Sequence, residues 1–126
     1  MLYKYLIVLV ATFLVAFPSF AHGASGYLGS CRNVRLNSQY RETLDAECKN
    51  NGGSYRAASI YLPSCLGNTN GVLVSPGSGY QNSCRDCAYQ PGGVFYCQCK
   101  NRAGTWKTSR VNTNGFIGNF NGLLRC

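Results

Sequence analysis

The chain has 126 residues, with 12 Lys and Arg against 4 Asp and Glu and a formal net charge of +8. Its single histidine, His22, lies in the N-terminal segment, so the rest of the chain lacks the usual general base of serine and cysteine hydrolases. The carboxylates Glu42, Asp45, Glu47 and Asp86 show no spacing that argues for a glycosidase pair, so an enzyme is not expected.

In chain order, Lys4 precedes the apolar run YLIVLVATFLVAF, which ends before Pro18, and the small residues Ala21, Gly23 and Ala24 follow. A basic head, an apolar middle and a small-residue cleavage site form the layout of a secretory signal peptide. We therefore expect residues 1–23 to be a leader and 24–126 to be a single secreted, extracellular domain. The run is short for a membrane span and no stop-transfer segment follows, so no membrane insertion is expected. Removing Lys4 with the leader leaves eleven basic residues against four acidic ones, a net charge of +7. These charges are scattered rather than clustered, so solubility explains them better than nucleic-acid binding does.

All eight cysteines follow the leader: Cys31, Cys48, Cys65, Cys84, Cys87, Cys97, Cys99 and Cys126. An even count in a small exported domain reads as a disulfide framework. The competing reading is a zinc cage built from Cys84-x-x-Cys87 and Cys97-x-Cys99.

Cys31–Leu36 alternates, with Val34 and Leu36 facing one way and Arg35 the other, as a strand would. Arg56–Leu62 also alternates and puts Ala58, Ile60 and Leu62 on one side. The phrase GNTNGVL at Gly67–Leu73 returns 51 residues later as GNFNGLL at Gly118–Leu124. Residues 48–73 overlie 99–124 without a gap, and the upstream Cys31 and Cys84 correspond as well. The chain is a tandem duplication, with copies at about 27–75 and 83–126 and a linker at about 76–82 within SPGSGYQNS. Two copies are too few for a solenoid and suggest a pseudo-twofold body whose halves cover each other's apolar surfaces. In each copy Asn-Gly, the pair suited to turns with positive φ at both central residues, leads into a short apolar strand, Val72–Val74 or Leu123–Leu124. Leu66 and Ile117 stand just before the phrase in one helical turn, and Tyr55 and Trp106 hold equivalent strand positions that suit a core.

Two fifty-residue halves, each with a Cys…Cys pair, a strand of the SIYL type and then Asn-x-Asn-Gly-x-Leu, resemble the cyanovirin-N homology family of lectins. The resemblance runs from Ser30 to Leu73 and again from Ser83 to Leu124. It implies an all-β, pseudo-twofold tandem repeat of triple-stranded sheets and β-hairpins exchanged between the repeats. It also implies binding of mannose-rich oligosaccharides without a metal ion or other cofactor. The family's framework disulfides fall on Cys31–Cys48 and Cys84–Cys99. If Cys84 and Cys99 face each other across a hairpin, Cys87 and Cys97 meet a step further along, which leaves Cys65–Cys126.

Carried across by position, the family's sugar sites fall on two clusters. The preferred one gathers Asn68, Asn70, Ser83, Lys100, Asn101 and Arg102, and the second gathers Gly29, Ser30, Lys49, Asn51, Asn119, Phe120 and Asn121. The chain departs from the family where acidic groups often stand, having Lys49, Gly67, Asn70 and Asn121 there, and Gly104 replaces a longer polar side chain. The implied partners are high-mannose glycans or a mannose-containing cell-wall polysaccharide, bound by a monomer or a domain-swapped dimer. The alternative is a basic, disulfide-rich secreted effector or antimicrobial protein on the same fold with non-functional sugar sites.

Overall fold

A computed structural model describes residues 24–126, so the leader expected at 1–23 lies outside the described residues. Two triple-stranded antiparallel sheets are built in the same way. The first pairs β1 (Cys31–Leu36) with β2 (Thr43–Lys49), and β2 with β3 (Tyr55–Tyr61). Two short strands follow, β4 (Gly67–Thr69) and β5 (Val72–Val74), paired as a hairpin. The second copy repeats the plan with β6 (Cys84–Gln90), β7 (Val94–Lys100), β8 (Trp106–Asn112) and the hairpin β9 (Gly118–Phe120) to β10 (Leu123–Arg125). The all-β expectation holds, and the duplicated phrase is itself a hairpin rather than a turn into a lone strand.

The central strands follow from period-two alternation. In β2, Leu44, Ala46 and Cys48 point inward, and in β7 Phe95, Cys97 and Cys99 do, while every second residue faces outward. Register sets Leu44 opposite Ile60 and Ala46 opposite Ala58, so each inward face is continuous across its sheet. The outer strands carry matching bulges at Asn33 (φ 53°) and Asp86 (φ 54°), where the register with β2 or β7 slips. The Asn-Gly hairpins have the expected geometry, with φ 51° and 88° at Asn70 and Gly71, and 54° and 88° at Asn121 and Gly122. Each is preceded by one 3-10 turn, Leu62–Ser64 or Thr113–Gly115, closed by the Leu66 or Ile117 N–H.

The halves complete one another. Hairpin β4–β5 of the first copy packs against β8 of the second, and β9–β10 packs against β3. One apolar core results, drawing Leu44, Ile60, Leu62 and Leu66 together with Phe95 and Ile117. The cysteines pair as Cys31–Cys48, Cys84–Cys99, Cys87–Cys97 and Cys65–Cys126, so the zinc cage is overturned because every thiol it needed is in a disulfide. Cys65–Cys126 is the bridge that joins the two copies.

The stretch read as a linker holds more structure than its composition suggested. Gly79–Tyr80 in the second copy matches Gly26–Tyr27 in the first, and both tyrosines are buried in single 3-10 turns. The Tyr27 N–H donates to the Ile117 carbonyl and the Tyr80 N–H to the Leu66 carbonyl, so each ring is fixed beneath a repeated phrase. Tyr80 meets Phe95 edge to face at 5.5 Å between ring centres. The Tyr27 hydroxyl bonds Thr113 Oγ1 at 2.7 Å and Tyr89 at 2.9 Å. Burial pushes both phenols well above the ordinary tyrosine range.

Candidate functional site

The structure brings the six residues of the preferred cluster together, and Asn68 is their centre. Its Nδ2 donates to Ser83 Oγ at 2.8 Å and to the Lys100 carbonyl at 2.9 Å, while its Oδ1 accepts from the Gly71 N–H at 2.8 Å. Asn68 therefore clamps the first copy's hairpin onto the second copy's sheet. Both of its amide donors are engaged, so its part in a site is to hold the neighbouring groups in place. Asn70 Oδ1 accepts from the Arg102 N–H at 2.9 Å, and Asn101 Oδ1 accepts from the Thr105 N–H at 2.9 Å. The amide nitrogens of Asn70 and Asn101 make no hydrogen bond among the described residues. Lys100 and Arg102 are exposed beside them.

The second cluster is assembled by the same bonds. Asn119 Nδ2 donates to Ser30 Oγ at 2.8 Å and to the Lys49 carbonyl at 2.9 Å, and its Oδ1 accepts from the Gly122 N–H at 2.8 Å. Asn121 Oδ1 accepts from the Asn51 N–H at 2.7 Å. Phe120 is 46% exposed, with the Arg125 guanidinium 5.6 Å from its ring centre. Gly29 is exposed in the 3-10 turn before Ser30.

Close packing accounts for the glycine at Gly71 and for the departure at Gly67. A Cβ on Gly71 would lie 3.3 Å from both Asn101 Cβ and Lys107 Cγ, at a φ of +88°. Glycine thus satisfies the turn and lets the hairpin tip rest on the opposite copy. A Cβ on Gly67 would lie 3.1 Å from the Ser78 backbone N and O, so an acidic side chain there would require the Ser78 backbone to give way.

Tyr55 and Trp106 are not core residues, contrary to the sequence reading. Their strand positions face outward, and each ring carries a guanidinium that reaches across the central strand, from β1 over β2 to β3 or from β6 over β7 to β8. Arg32 lies 3.6 Å from the Tyr55 ring centre and Arg85 3.8 Å from that of Trp106, with Lys49 and Lys100 at 5.5 and 5.1 Å. These cation–π contacts shelter ring faces that the sheet leaves in water. Their signal in the sequence was Arg32 and Arg85 directly after the first cysteine of each copy.

Charge differs between the clusters. Glu47 accepts from Arg32 Nε at 2.9 Å and from Asn33 Nδ2 at 2.7 Å, which together hold its carboxyl below the usual range. The corresponding residue facing Arg85 is Gln98, and Arg85 instead has Asp86 at 3.7 Å. A groove of about 480 Å³ runs between β1 and β6, floored by Leu28, Val34, Leu36, Ala88, Tyr89 and Pro91. Arg35 and Arg41 also line it, and none of the candidate residues does. Among the described residues no three His, Cys, Asp or Glu side chains gather to hold a metal.

A family model described as the CVNH domain matches residues 27–125. A cyanovirin-N homolog from Tuber borchii is 32% identical over 99 residues, covering 78% of this chain and 95% of that protein. Among solved structures, a designed cyanovirin-N homolog lectin aligns with a TM-score of 0.72 at 26% identity, over 79% of this chain and 97% of its own. Gibberella zeae CVNH aligns with a TM-score of 0.72 at 25% identity, over 79% and 95%.

Proposed function

The chain belongs to the CVNH domain family and has the fold of its lectins, and from that premise we propose that it is a secreted lectin binding mannose-rich oligosaccharides without a metal ion. The observation that carries this reading is the duplicated turn, clamped by Asn68 or Asn119 between the two copies, with the Asn70 or Asn121 amide beside it. Each hydrogen bond to a sugar hydroxyl gains only about 0.5–1.5 kcal/mol over water, so a neutral sugar is held only where several groups are already in place. The clamp supplies that order, because the turn is tied through three bonds before any ligand arrives. Asn70, Asn101, Lys100 and Arg102 then offer side-chain groups on one side of it, and Asn51, Lys49, Phe120 and Asn121 do so in the other cluster. Two weak sites on one rigid body would bind a branched or polymeric mannan with avidity above either site alone. No catalytic group is assigned, and the protein acts by binding.

A titration of the oxidised protein with mannobiose, followed by amide NMR with and without chelator, tests this reading. Shifts confined to the Asn70 or Asn121 turns and unaffected by chelator are the expected result. Asn70→Gly keeps the left-handed backbone while removing the side chain, and it should weaken binding at the first turn. Shifts at neither turn, or unaltered affinity in the variants of both turns, would refute it. The absence of carboxylates beside either turn favours one second reading, a basic secreted effector on this fold with silent sugar sites; salt-sensitive binding to anionic polymers without sugar selectivity would support it.

A further inference from the structure

The Asn70 cluster is unbalanced in its hydrogen-bonding chemistry. A neutral sugar hydroxyl donates as well as accepts, so a site matched to it presents acceptors alongside donors. Here the side-chain amide oxygens of Asn68, Asn70 and Asn101 each accept from a backbone N–H within the protein, at 2.8, 2.9 and 2.9 Å. The Lys100 and Ser83 carbonyls are approached by Asn68 Nδ2, and Ser83 also takes the Lys100 N–H at 2.9 Å. What remains facing solvent is mostly donors: the Asn70 and Asn101 amide nitrogens and the cations Lys100, Arg102 and Lys107. None of these three cations is in an ion pair among the described residues. Lys107 belongs to the same patch because its side-chain stem lies against the Gly71 turn.

The neighbourhood reinforces the imbalance. Arg85 and Lys100 flank the Trp106 ring, and Gln98 stands where the other copy has the carboxylate of Glu47. The acidic group of this region is Asp86, whose Oδ2 lies 3.7 Å from Arg85 Nε, beyond hydrogen-bonding reach. The Asn121 cluster has Asn51 in the place of Arg102 and Phe120 in the place of Thr69, and Arg32 there is already neutralised by Glu47.

We infer that the Asn70 cluster selects saccharides bearing an anionic substituent, a phosphate or a carboxylate, through Lys100, Arg102 and Lys107. Anionic oxygens only accept, which is the complement of a surface whose own acceptors are engaged. Bonds from cations to such oxygens are about twice as strong as neutral ones, and the guanidinium of Arg102 can meet two oxygens at once. The inference rests on the lectin reading, with the ligand a mannose-type sugar carrying charge rather than a neutral mannan.

Trp106 is the sole tryptophan of the chain, so its fluorescence and indole N–H resonance report on this cluster alone. The test titrates the oxidised protein with four probes: mannobiose, 6-phosphorylated mannobiose, a mannuronate disaccharide and inorganic phosphate. The phosphorylated sugar should bind about ten-fold or more tightly than mannobiose at low salt, with a Trp106 response, and the gap should close as salt rises to about 0.5 M. Comparison of the phosphorylated and uronate arms identifies which anion is preferred. Arg102→Asn, which installs the residue of the other cluster, should shrink the ratio of charged to neutral affinity, while Lys107→Gln provides a second variant outside the Asn70–Arg102 bond. Equal affinity for mannobiose and its phosphate would overturn the inference and leave the lectin reading standing. Inorganic phosphate binding as tightly as the phosphorylated sugar would overturn it as well, because the saccharide would contribute nothing. Failure of every sugar probe at both turns would remove both.

Discussion

The Asn70 and Asn121 turns are held by three bonds each, from Asn68 and Asn119, whose lengths agree at 2.8, 2.9 and 2.8 Å. Around this shared clamp the side chains diverge. Arg102 faces Asn51 across the duplication, Thr69 faces Phe120, Gln98 faces Glu47, and Ser109 faces Ala58. The difference separates two kinds of constraint. The asparagine clamps that tie each turn to the other copy are retained in both halves, because a broken clamp leaves backbone donors and acceptors without partners. Positions around the clamp differ, including Ser109, whose bond to the Leu73 N–H has no counterpart at Ala58, and with them differs the charge beside each turn.

The disulfides give the largest expected break in this symmetry. Cys65–Cys126 closes a loop with a sequence separation of 61 and ties the copies together, whereas Cys87–Cys97, with a separation of 10, belongs to the second copy alone. On loop entropy, removing the first by Cys65→Ala with Cys126→Ala should cost about 4 kcal/mol, and removing the second about 3 kcal/mol. Guanidinium unfolding of each double variant measures both, and a larger loss from the shorter loop would contradict the entropic ordering.

Replacing a clamp comes next. Asn68→Ala and Asn119→Ala each remove three hydrogen bonds, two of them part-buried and one exposed, and should destabilise by about 2–4 kcal/mol. The two costs should agree within about 0.5 kcal/mol if the halves are mechanically equivalent. A clear inequality in urea midpoints would show that one hairpin bears more of the fold.

A smaller effect is expected at Ser109. Its hydroxyl accepts from the Leu73 N–H at 2.9 Å, where the other copy has Ala58 and no hydroxyl to offer. Ser109→Ala should cost about 1 kcal/mol and make the second sheet resemble the first. No change in thermal midpoint would mean that the Leu73 N–H finds another partner.

The smallest is a pH effect confined to the Asn121 side. The carboxyl of Glu47 is held low by Arg32 and Asn33, so its contribution to stability is present above the ordinary value of 4.5 and is lost as pH falls through the lower folded-state pKa. The Arg32 Nε–H resonance, hydrogen-bonded to Glu47 at 2.9 Å, should shift in that acid window by more than that of Arg85, which lies opposite Gln98 and 3.7 Å from Asp86. Identical titration of both arginines would erase the electrostatic contrast between the copies.

Much of the architecture was legible in residue order. The gapless match of 48–73 to 99–124 announced two equivalent halves, and Asn70-Gly71 and Asn121-Gly122 announced turns with positive φ, since few other pairs adopt that geometry cheaply. The central strand β2 carries the same kind of signal, since Leu44, Ala46 and Cys48 alternate with Asp45, Glu47 and Lys49 as a half-buried strand requires. Tyr80 sits inside a stretch rich in Gly and Ser, and its equivalence to Tyr27 shows only in the match of GYLGSC to GYQNSC. Sequence composition cannot distinguish a glycine-rich spacer from one whose single aromatic is drawn into the core.

Sequence alone determined that the chain is a duplicated, disulfide-rich β protein with matched turns, because periodicity, turn chemistry and cysteine placement are local properties of the chain. The tertiary structure decided how each amide is used. The resemblance implies Asn68 and Asn119 as ligand groups, but their side-chain donors face the other copy, because the hairpin of one half lies on the sheet of the other. It also decided that Tyr55 and Trp106 lie outside under arginines. A hydrogen bond or ring contact between residues dozens of positions apart depends on where two surfaces meet, and no local pattern carries that information.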